Sequence, residues 1–365
     1  MMMYREIHRE SDSDIIGGHK IPGLRSTFVE VDELEPEKLK EDSPLGGNFM
    51  YLFPAKIRGY NLKTKKKWLE LQVDRMQSVV WNTRAFDRLV INSKTKRLIQ
   101  ALISNQIETE RSTDLISGKG NGLILLLHGG PGTGKTLTAE SVAEIARKPL
   151  YPVTSGDIGT EPEAVENYLE SVLHIGKTWS CVVLLDEADV FLEQRSLEDP
   201  RRTALVSVSV FLRILEYYDG ILVLTSNRVG TFDEAFKSRI QLAVHYKNLD
   251  LDQRTQIWRN FIGRLEELEE EGIDFADLKD NIKNLAANKL NGREIRNVIT
   301  TARQYARWER QQPNQQNYML DYKVMDSVLK TAGEFDEYIQ DVHGGISSDE
   351  LAAADGWRVA RKSTD

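Results

Sequence analysis

Hydrophobic positions in the middle of the chain follow two alternating patterns. Short, continuously apolar runs predict buried strands, and apolar positions three or four residues apart predict helices. The predicted strands are Gly122–His128, Leu150–Thr154, Cys181–Leu185, Gly220–Thr225 and Ala243–Tyr246, and the predicted helices are Asn92–Glu110, Thr136–Arg147, Pro162–Thr178 and Arg202–Tyr217. This alternation predicts an α/β fold, with a parallel sheet that helices cover on both faces. We expect residues 81–246 to form this α/β core.

The pattern changes after Asn248, where the predicted strands stop. Only helical spacing follows, and short polar loops separate the segments. The predicted helices are Leu251–Glu271, Phe275–Leu285, Gly292–Glu309 and Lys323–Gly333. Residues 247–335 are therefore expected to form a small all-helical domain, and residues 336–365 a C-terminal tail.

The region before the α/β core has two parts. Residues 1–47 are rich in Asp, Glu, Ser, Gly and Pro with little periodicity, so we expect them to be mostly disordered. Within residues 48–80, two nearly alternating segments flank the run Lys63-Thr64-Lys65-Lys66-Lys67 and predict a β-hairpin. A hairpin is too small to fold alone, so it should pack on another element. We interpret the lysine run as a solvated turn rather than a basic binding patch.

Composition and charge exclude some classes of protein. The net charge of −8 and the pI of about 5.5 argue against a dedicated nucleic-acid binder, so we expect no nucleic-acid partner. The single cysteine, Cys181, cannot form an internal disulfide, and this favours a reducing intracellular compartment, expected to be the cytoplasm. No apolar stretch approaches the ~20 residues that span a membrane, so we expect no membrane span.

A glycine-rich segment between a predicted strand and a predicted helix carries the clearest chemistry. Residues Gly129–Thr136 read Gly-Gly-Pro-Gly-Thr-Gly-Lys-Thr and fit the pattern G-x-x-x-x-G-K-[ST]. The glycines let backbone N–H groups surround phosphate oxygens, Lys135 reaches the β- and γ-phosphates, and the Thr136 hydroxyl is a ligand of Mg²⁺. The pattern predicts ATP and Mg²⁺ as cofactors. The predicted nucleotide contacts are Gly130, Pro131, Gly132, Thr133, Gly134, Lys135, Thr136 and Leu137.

Two adjacent acids follow the apolar strand Cys181–Leu185. Asp186 is predicted to hold Mg²⁺ together with Thr136. Glu187 is predicted to take a proton from the attacking water. Adjacent acids at the end of a buried strand are costly unless a cation or water uses them, which favours this functional interpretation over an ordinary loop pair. Asp189 belongs either to this site or only to a cap of the following segment.

Polar residues elsewhere complete the candidate site. Asn227 follows the strand Gly220–Thr225 and is predicted to orient the water beside Glu187 if the two strands are neighbours; the alternative is a turn-forming Asn. Arg239 reaches a γ-phosphate only across a subunit boundary, and otherwise is a surface salt-bridge residue. Arg293 or Arg296 either senses the nucleotide or lies on a solvated helix face. His128 and Cys181 are interpreted as core residues.

Together these residues resemble the AAA family of ATPases over about residues 81–335. Gly129–Thr136 is similar to the Walker A motif, Val182–Glu187 to Walker B, Asn227 to the first sensor and Arg239 to the arginine finger. The helical segment after Asn248 resembles the family's C-terminal lid. The sequences of three segments resemble those of a group of fungal AAA proteins in which an N-terminal region precedes the ATPase core. These segments are Val79–Asn82, Leu184–Arg195 and Thr225–Asp233.

The resemblance implies Mg²⁺-dependent ATP hydrolysis by a ring-shaped homo-oligomer, expected to be a hexamer, that remodels a protein partner. Two other functions are considered. A nucleotide-dependent scaffold with little turnover would not need the complete set of Lys135, Asp186, Glu187, Asn227 and Arg239. A P-loop kinase would need an acceptor site, for which the sequence shows no motif.

Three segments depart from the family pattern. Lys237-Ser238-Arg239 replaces the usual Arg-Pro-Gly-Arg, which leaves one candidate for the arginine finger. Ser155–Thr160 lacks the aromatic residue that many AAA unfoldases place in the central pore, and this argues against threading of polypeptide. The Ser-Val pair occurs twice in Val206–Val210, which is two residues more than the family pattern has. The extra pair should rotate one half of the predicted helix relative to the other, unless a bulge accommodates it.

Overall fold

The computed structural model describes residues 54–65, 69–108, 122–157, 162–189, 211–213, 215–216, 218–228, 234–313, 315–346 and 348–355. The predicted disorder of residues 1–47 and the doubled Ser-Val at Val206–Val210 lie outside this set. Most of the predicted helix Arg202–Tyr217 does too, although residues 211–213 and 215–216 are helical. The described chain forms two compact units, one with residues 54–59 and 69–77 and the other with the remainder.

The first unit contains the predicted β-hairpin. Strands β1 (Lys56–Gly59) and β2 (Leu69–Gln72) pair antiparallel, with Lys56 opposite Gln72 and Gly59 opposite Leu69. An ion pair of 3.1 Å joins Lys56 to Glu70 across the strands. Leu69 and Leu71 are 44% and 39% exposed, so the expectation that the hairpin packs on another element stays a prediction.

A sheet of five parallel strands forms the centre of the second unit, as predicted. In chain order the strands are β3 (Leu123–Gly129), β4 (Leu150–Thr154), β5 (Val182–Asp186), β6 (Ile221–Ser226) and β7 (Leu242–Tyr246). Their order across the sheet is β4-β5-β6-β3-β7. The first strand of the sheet, β3, therefore lies between β6 and β7, and the last residues of β5, β6 and β3 meet at one edge.

Helices cover both faces of this sheet, which confirms the predicted architecture. They are α1 (Arg84–Asp87), α2 (Ser93–Glu108), α3 (Lys135–Ala146), α4 (Pro162–Thr178) and the short α5 (Glu234–Lys237). Alternate residues of β3 enter opposite cores. Leu125 packs with Ile103 of α2 and Val142 of α3, whereas Leu126 packs in the cluster that contains Leu169 of α4.

The helix predicted over Asn92–Glu110 buries less of its apolar pattern than expected. Ile99 and Ile103 are fully buried, but Leu98 and Ile107 are each 47% exposed. The core of this face is therefore formed by a narrower stripe of α2 than the sequence spacing indicates.

The helical domain follows β7 and has its own core. Its helices are α6 (Leu251–Glu267), α7 (Phe275–Asp280), α8 (Ile282–Ala287), α9 (Gly292–Arg310), α10 (Tyr322–Val342) and α11 (Ser348–Ala354). Trp258, Leu278, Leu285, Ile295 and Met325 are all buried in one cluster. The apolar faces of successive helices thus pack on one another rather than on the sheet.

Three helix predictions in this domain differ from the structure. The helix predicted to end at Glu271 ends at Glu267, because Glu269 and Gly272 adopt left-handed φ angles of 51° and 75°. The helix predicted over Phe275–Leu285 is split at Asn281 into α7 and α8. The last predicted helix continues well past Gly333, as α10. The predicted domain boundaries stay predictions.

Among the helices in the described ranges, none combines the length and the apolar composition that a membrane crossing requires.

Candidate nucleotide site

Two glycines, one at the end of β3 and one in the loop before α3, adopt backbone conformations that other residues rarely adopt. Gly129 has a φ of 143°, and a Cβ there would lie 2.1 Å from the carbonyl oxygen of Tyr246. Gly132 has a φ of 70°, and a Cβ there would lie 2.2 Å from Oδ1 of Asn291. The loop therefore turns tightly and leads into the N-terminus of α3. At a helix N-terminus, free backbone N–H groups and the helix dipole favour the binding of an anion.

Lys135 is the first residue of α3, and its side chain extends back to the start of this loop. Its side chain is largely buried, with the residue 7% exposed, and Nζ donates to the carbonyl oxygens of Gly129 at 2.9 Å and Gly130 at 2.6 Å. The Thr133 hydroxyl donates to the same Gly130 oxygen at 2.8 Å. The positively charged ammonium group of Lys135 therefore lies inside the turn of this loop, beside the N-terminus of α3. Leu137, two residues further on, is 53% exposed.

The first turn of α3 meets the end of β5. The Thr136 hydroxyl lies 3.2 and 3.3 Å from the two carboxylate oxygens of Asp186. The Thr225 hydroxyl, from the neighbouring strand β6, donates to the same carboxylate. Hydroxyl and carboxylate oxygens are ligands that suit Mg²⁺. No cluster of three or more His, Cys, Asp or Glu suited to a metal occurs in the described ranges.

Glu187 occupies a different environment from Asp186 beside it. Its backbone has a left-handed φ of 56°, which is uncommon for a residue other than glycine. Its N–H donates to the Thr225 hydroxyl at 2.9 Å, while its side chain is exposed at the edge of the sheet. This turn separates the two acids, one held by hydroxyls and one facing solvent.

The tip of β6 is fastened to the loop after β5 by Asp189. Its carboxylate accepts hydrogen bonds from the Ser226 hydroxyl, from the N–H of Asn227 at 3.2 Å and from the N–H of Arg228 at 3.4 Å. β5 and β6 are neighbours, which was the condition for placing Asn227 beside Glu187. Sequence reasoning left the role of Asp189 open because these contacts join segments 37 to 39 residues apart.

The helical domain contacts the loop between β3 and α3 at the start of α9. The N–H of Gly292 donates to the Gly132 carbonyl oxygen at 2.9 Å. Asn291 caps α9, because its Oδ1 accepts from the N–H groups of Arg293 and Glu294, and the Glu294 carboxylate accepts from the Asn291 N–H. Sequence reasoning missed Asn291, although Asn-x-x-Glu before a helix is a form of the capping-box signal.

Charges from three elements meet beside α3 at Glu140, one turn after Thr136. Burial is the main cause that raises the pKa of Glu140, and the negative charge of Asp186 raises it further. The positive charges of Arg296 and Lys63 act in the opposite direction. Of the two lid arginines considered from the sequence, Arg296 therefore acts electrostatically on the first turns of α3.

Arg239 follows α5 and contacts its own core. Its guanidinium lies 3.4 Å from the Glu216 carboxylate and 3.4 Å from the Ser238 hydroxyl. These contacts agree with the salt-bridge alternative for this residue within one subunit, and its action on a neighbouring subunit stays a prediction.

His128 and Cys181 lie among other side chains of the α/β core. His128 stacks on His245 of the neighbouring strand β7, with ring centroids 4.9 Å apart. Burial, and then the charges of His245 and Lys135, lower the pKa of His128 to about 4, so it is neutral at neutral pH. Cys181 is buried, and burial raises the pKa of its thiol to about 11. The stacking of His128 and the burial of Cys181 favour the structural interpretation over a ligand role.

Two family models match the chain over this fold. Residues 125–248 match the ATPase family associated with various cellular activities (AAA), and residues 249–346 match the fungal AAA+ ATPase lid domain. The chain belongs to the AAA family. The predicted α/β core with a helical lid and the resemblance to fungal members of the family are thereby confirmed.

Similar proteins include ATPase family AAA domain-containing proteins of animals. The ATPase family AAA domain-containing protein 3A homolog of Drosophila melanogaster is 29% identical over 253 residues, which cover 66% of this chain and 37% of the relative. The ATPase family AAA domain-containing protein 3B of Homo sapiens is 31% identical over 143 residues, which cover 37% of this chain and 22% of the relative. The matched part is less than two fifths of the length of either relative.

AAA membership supports ATP binding and nucleotide-dependent ATPase activity, and AAA proteins typically oligomerise. The segment in which many AAA unfoldases carry a pore aromatic begins here with the single 3₁₀ turn Ser155–Asp157. Residues 158–160 of that segment lie outside the described ranges.

We predict that Asp189→Asn lowers the free energy of unfolding by about 1.5–3 kcal/mol, the usual contribution of hydrogen bonds to a charged group. An Asn side chain keeps one oxygen that can accept from Ser226, Asn227 and Arg228, but it loses the negative charge and places an NH₂ donor where Oδ2 accepts from the N–H of Asn227. Urea unfolding followed by circular dichroism measures the change. The exposed Asp341→Asn is the control, and an effect of Asp189→Asn no larger than that of the control would contradict the prediction.

Proposed function

We propose that this chain binds ATP with Mg²⁺ and hydrolyses the nucleotide at the edge of the sheet where β3, β5 and β6 end. The observation that carries the proposal is the contact of the Thr136 hydroxyl with the Asp186 carboxylate, at 3.2 and 3.3 Å, next to the loop that holds Lys135. It brings the proposed metal ligands and the proposed phosphate ligands to one place.

In this proposal the β3–α3 loop binds the phosphates. Lys135 exchanges the carbonyl oxygens of Gly129 and Gly130 for charge-assisted hydrogen bonds to the β- and γ-phosphates, which are stronger. The full set of proposed nucleotide contacts is Gly130, Pro131, Gly132, Thr133, Gly134, Lys135, Thr136 and Leu137.

Thr136 and Asp186 are the proposed ligands of Mg²⁺, which commonly binds one or two carboxylates together with substrate phosphates and water. When bound, Mg²⁺ neutralises negative charge on the phosphates during transfer. Asp186 is suited to holding the ion, because two hydroxyl groups already orient its oxygens.

Glu187 is the proposed general base. Its side chain faces solvent at the end of β5, and only its backbone N–H is held by Thr225. A general base must reach a water that attacks the γ-phosphate, and this position leaves the carboxylate available for that role. Asn227 is proposed to orient the water, with its backbone fixed by Asp189.

The proposal includes a ring-shaped homo-oligomer, expected to be a hexamer, that remodels a protein partner. Arg239 is proposed to act on the γ-phosphate of the neighbouring subunit. Within its own subunit its guanidinium lies 3.4 Å from the Glu216 carboxylate and 3.4 Å from the Ser238 hydroxyl, and the proposal requires it to reach the neighbouring subunit as well. Family membership supports oligomerisation in general.

We predict that Lys135→Ala weakens ATP binding by about 10- to 100-fold, because a hydrogen bond to a charged group contributes roughly 1.5–3 kcal/mol. Titration calorimetry with Mg²⁺-ATP measures the affinity. Lys283→Ala, at an exposed position of α8, is the matched control and should bind as the parent does. Equal affinity of Lys135→Ala and the parent would contradict the assignment of the phosphate loop.

We also predict that hydrolysis needs a neighbouring subunit. Glu187→Gln should bind ATP but lose about 10²–10⁴-fold in turnover, and Arg239→Ala should lose about 10³–10⁵-fold. A mixture of the two variants should regain activity, because some interfaces pair an intact Glu187 with an intact Arg239. Phosphate release measures each sample.

Lys237→Ala, two residues from Arg239 and exposed, is the control and should keep the parent's rate. Specific activity of the parent should rise with protein concentration. The trans-acting role is wrong if specific activity stays constant on dilution and the mixture gains nothing.

A further inference from the structure

Part of the lysine-rich turn packs on the core. The side-chain oxygen of Asn61 accepts the N–H groups of Lys63 and Thr64 at 3.0 Å each, and the N–H of Lys65 donates to the Asn61 carbonyl oxygen at 2.9 Å. Lys63 and Thr64 are exposed, as the interpretation of a solvated turn requires. Lys65 is not: its side chain is only 17% exposed, and its φ is 51°.

Lys65 forms an ion pair with Asp157 in the 3₁₀ turn that follows β4. The same carboxylate oxygen of Asp157 accepts the N–H of Thr154 at 2.8 Å and the hydroxyl of Thr154 at 2.7 Å. Burial alone would raise the pKa of Asp157, but the hydrogen bonds from Lys65 and Thr154 outweigh it and lower the pKa. The carboxylate is therefore charged and is held by both the turn and the strand.

The end of β4 that Asp157 holds is the direct neighbour of the proposed metal ligand. In the parallel pairing of β4 and β5, Thr154 is the register partner of Asp186. A continuous path thus runs from Lys65 through Asp157 and Thr154 to Asp186.

The position of Lys65 is set by other contacts of its segment. The ring of Tyr60 lies 5.6 Å from the ring of Trp179. Leu62 packs against the apolar cluster that contains Tyr151 and Val153 of β4. Forming an ion pair costs conformational entropy, and this cost is smaller when the segment that carries the ammonium group is already anchored. Lys65 is on such a segment, so its ion pair is well placed to fix the position of Asp157.

We propose that Lys65 is a positioning residue of the Mg²⁺-ATP site, which fixes the end of β4 beside Asp186 by holding Asp157. This role rests on the proposed function. Removal of the ammonium group leaves a charged carboxylate, 28% exposed, with Thr154 as its remaining hydrogen-bond donor in the described part of the chain. The turn then relaxes, and the oxygens of Asp186 lose part of their alignment with Thr136.

The test compares Lys65→Met with Lys56→Met. Lys56 also forms an ion pair with a carboxylate, Glu70, but its side chain is 60% exposed and lies in the hairpin. For each variant the measurements are kcat and KM for ATP, the Mg²⁺ concentration that gives half-maximal turnover, and backbone hydrogen exchange of residues 150–157 without nucleotide.

For Lys65→Met we expect kcat to fall about threefold to tenfold, less than the ~10²-fold that a 1 Å displacement of reacting groups can cost. KM should change less than kcat, the Mg²⁺ requirement should rise, and exchange at Thr154 should become faster. Lys65→Arg keeps a cation and should restore all of these values, whereas Lys56→Met should match the parent.

The inference is overturned if Lys65→Met matches Lys56→Met in turnover, in Mg²⁺ requirement and in exchange. It is also overturned if Lys65→Met lowers only the melting temperature, because the ion pair would then serve stability alone. If the parent protein shows no ATP turnover, the proposed function is wrong and the positioning role is wrong with it. If the parent turns over ATP but Lys65→Met behaves as Lys56→Met does, only the positioning role is wrong.

Discussion

The contact between the Thr136 hydroxyl and the Asp186 carboxylate joins two segments that lie 50 residues apart in the chain. It exists because β5 and β3 flank β6 in the sheet, so that all three strands end at one edge. Thr225 at the end of β6 completes the junction by donating to Asp186 and accepting from Glu187. The chemistry proposed for the site depends on this junction, and the junction depends on buried apolar strands that hold their register.

The same edge also connects the parts of the second unit to one another. The helical domain reaches it through the hydrogen bond from Gly292 to Gly132, which joins the N-terminus of α9 to the loop between β3 and α3. The turn before β2 reaches it through Lys65 and Asp157. A change at the phosphates therefore has short structural routes to the lid and to the segment that carries Lys65.

The sequence predicted the elements whose patterns are local. Leu150–Thr154 and Pro162–Thr178 have the predicted bounds, because their apolar spacing is strongly periodic. The split at Asn281 was missed, since Asn281 ends one helix and begins the next within a continuous apolar pattern. The contacts of Asp189 and Lys65 were not predicted, because each depends on which distant segments become neighbours. The cap at Asn291 was missed although its Asn-x-x-Glu signal is local. The roles of Glu187, Asn227 and Arg239 remain predictions.

The measurement that tests the account most directly is phosphate release from the purified parent chain with ATP, in Mg²⁺ and in excess chelator, with and without an added phosphoryl acceptor. The account predicts steady release that requires Mg²⁺ and does not require an acceptor. Release no faster in Mg²⁺ than in chelator, or transfer of phosphate only when the acceptor is present, would contradict it.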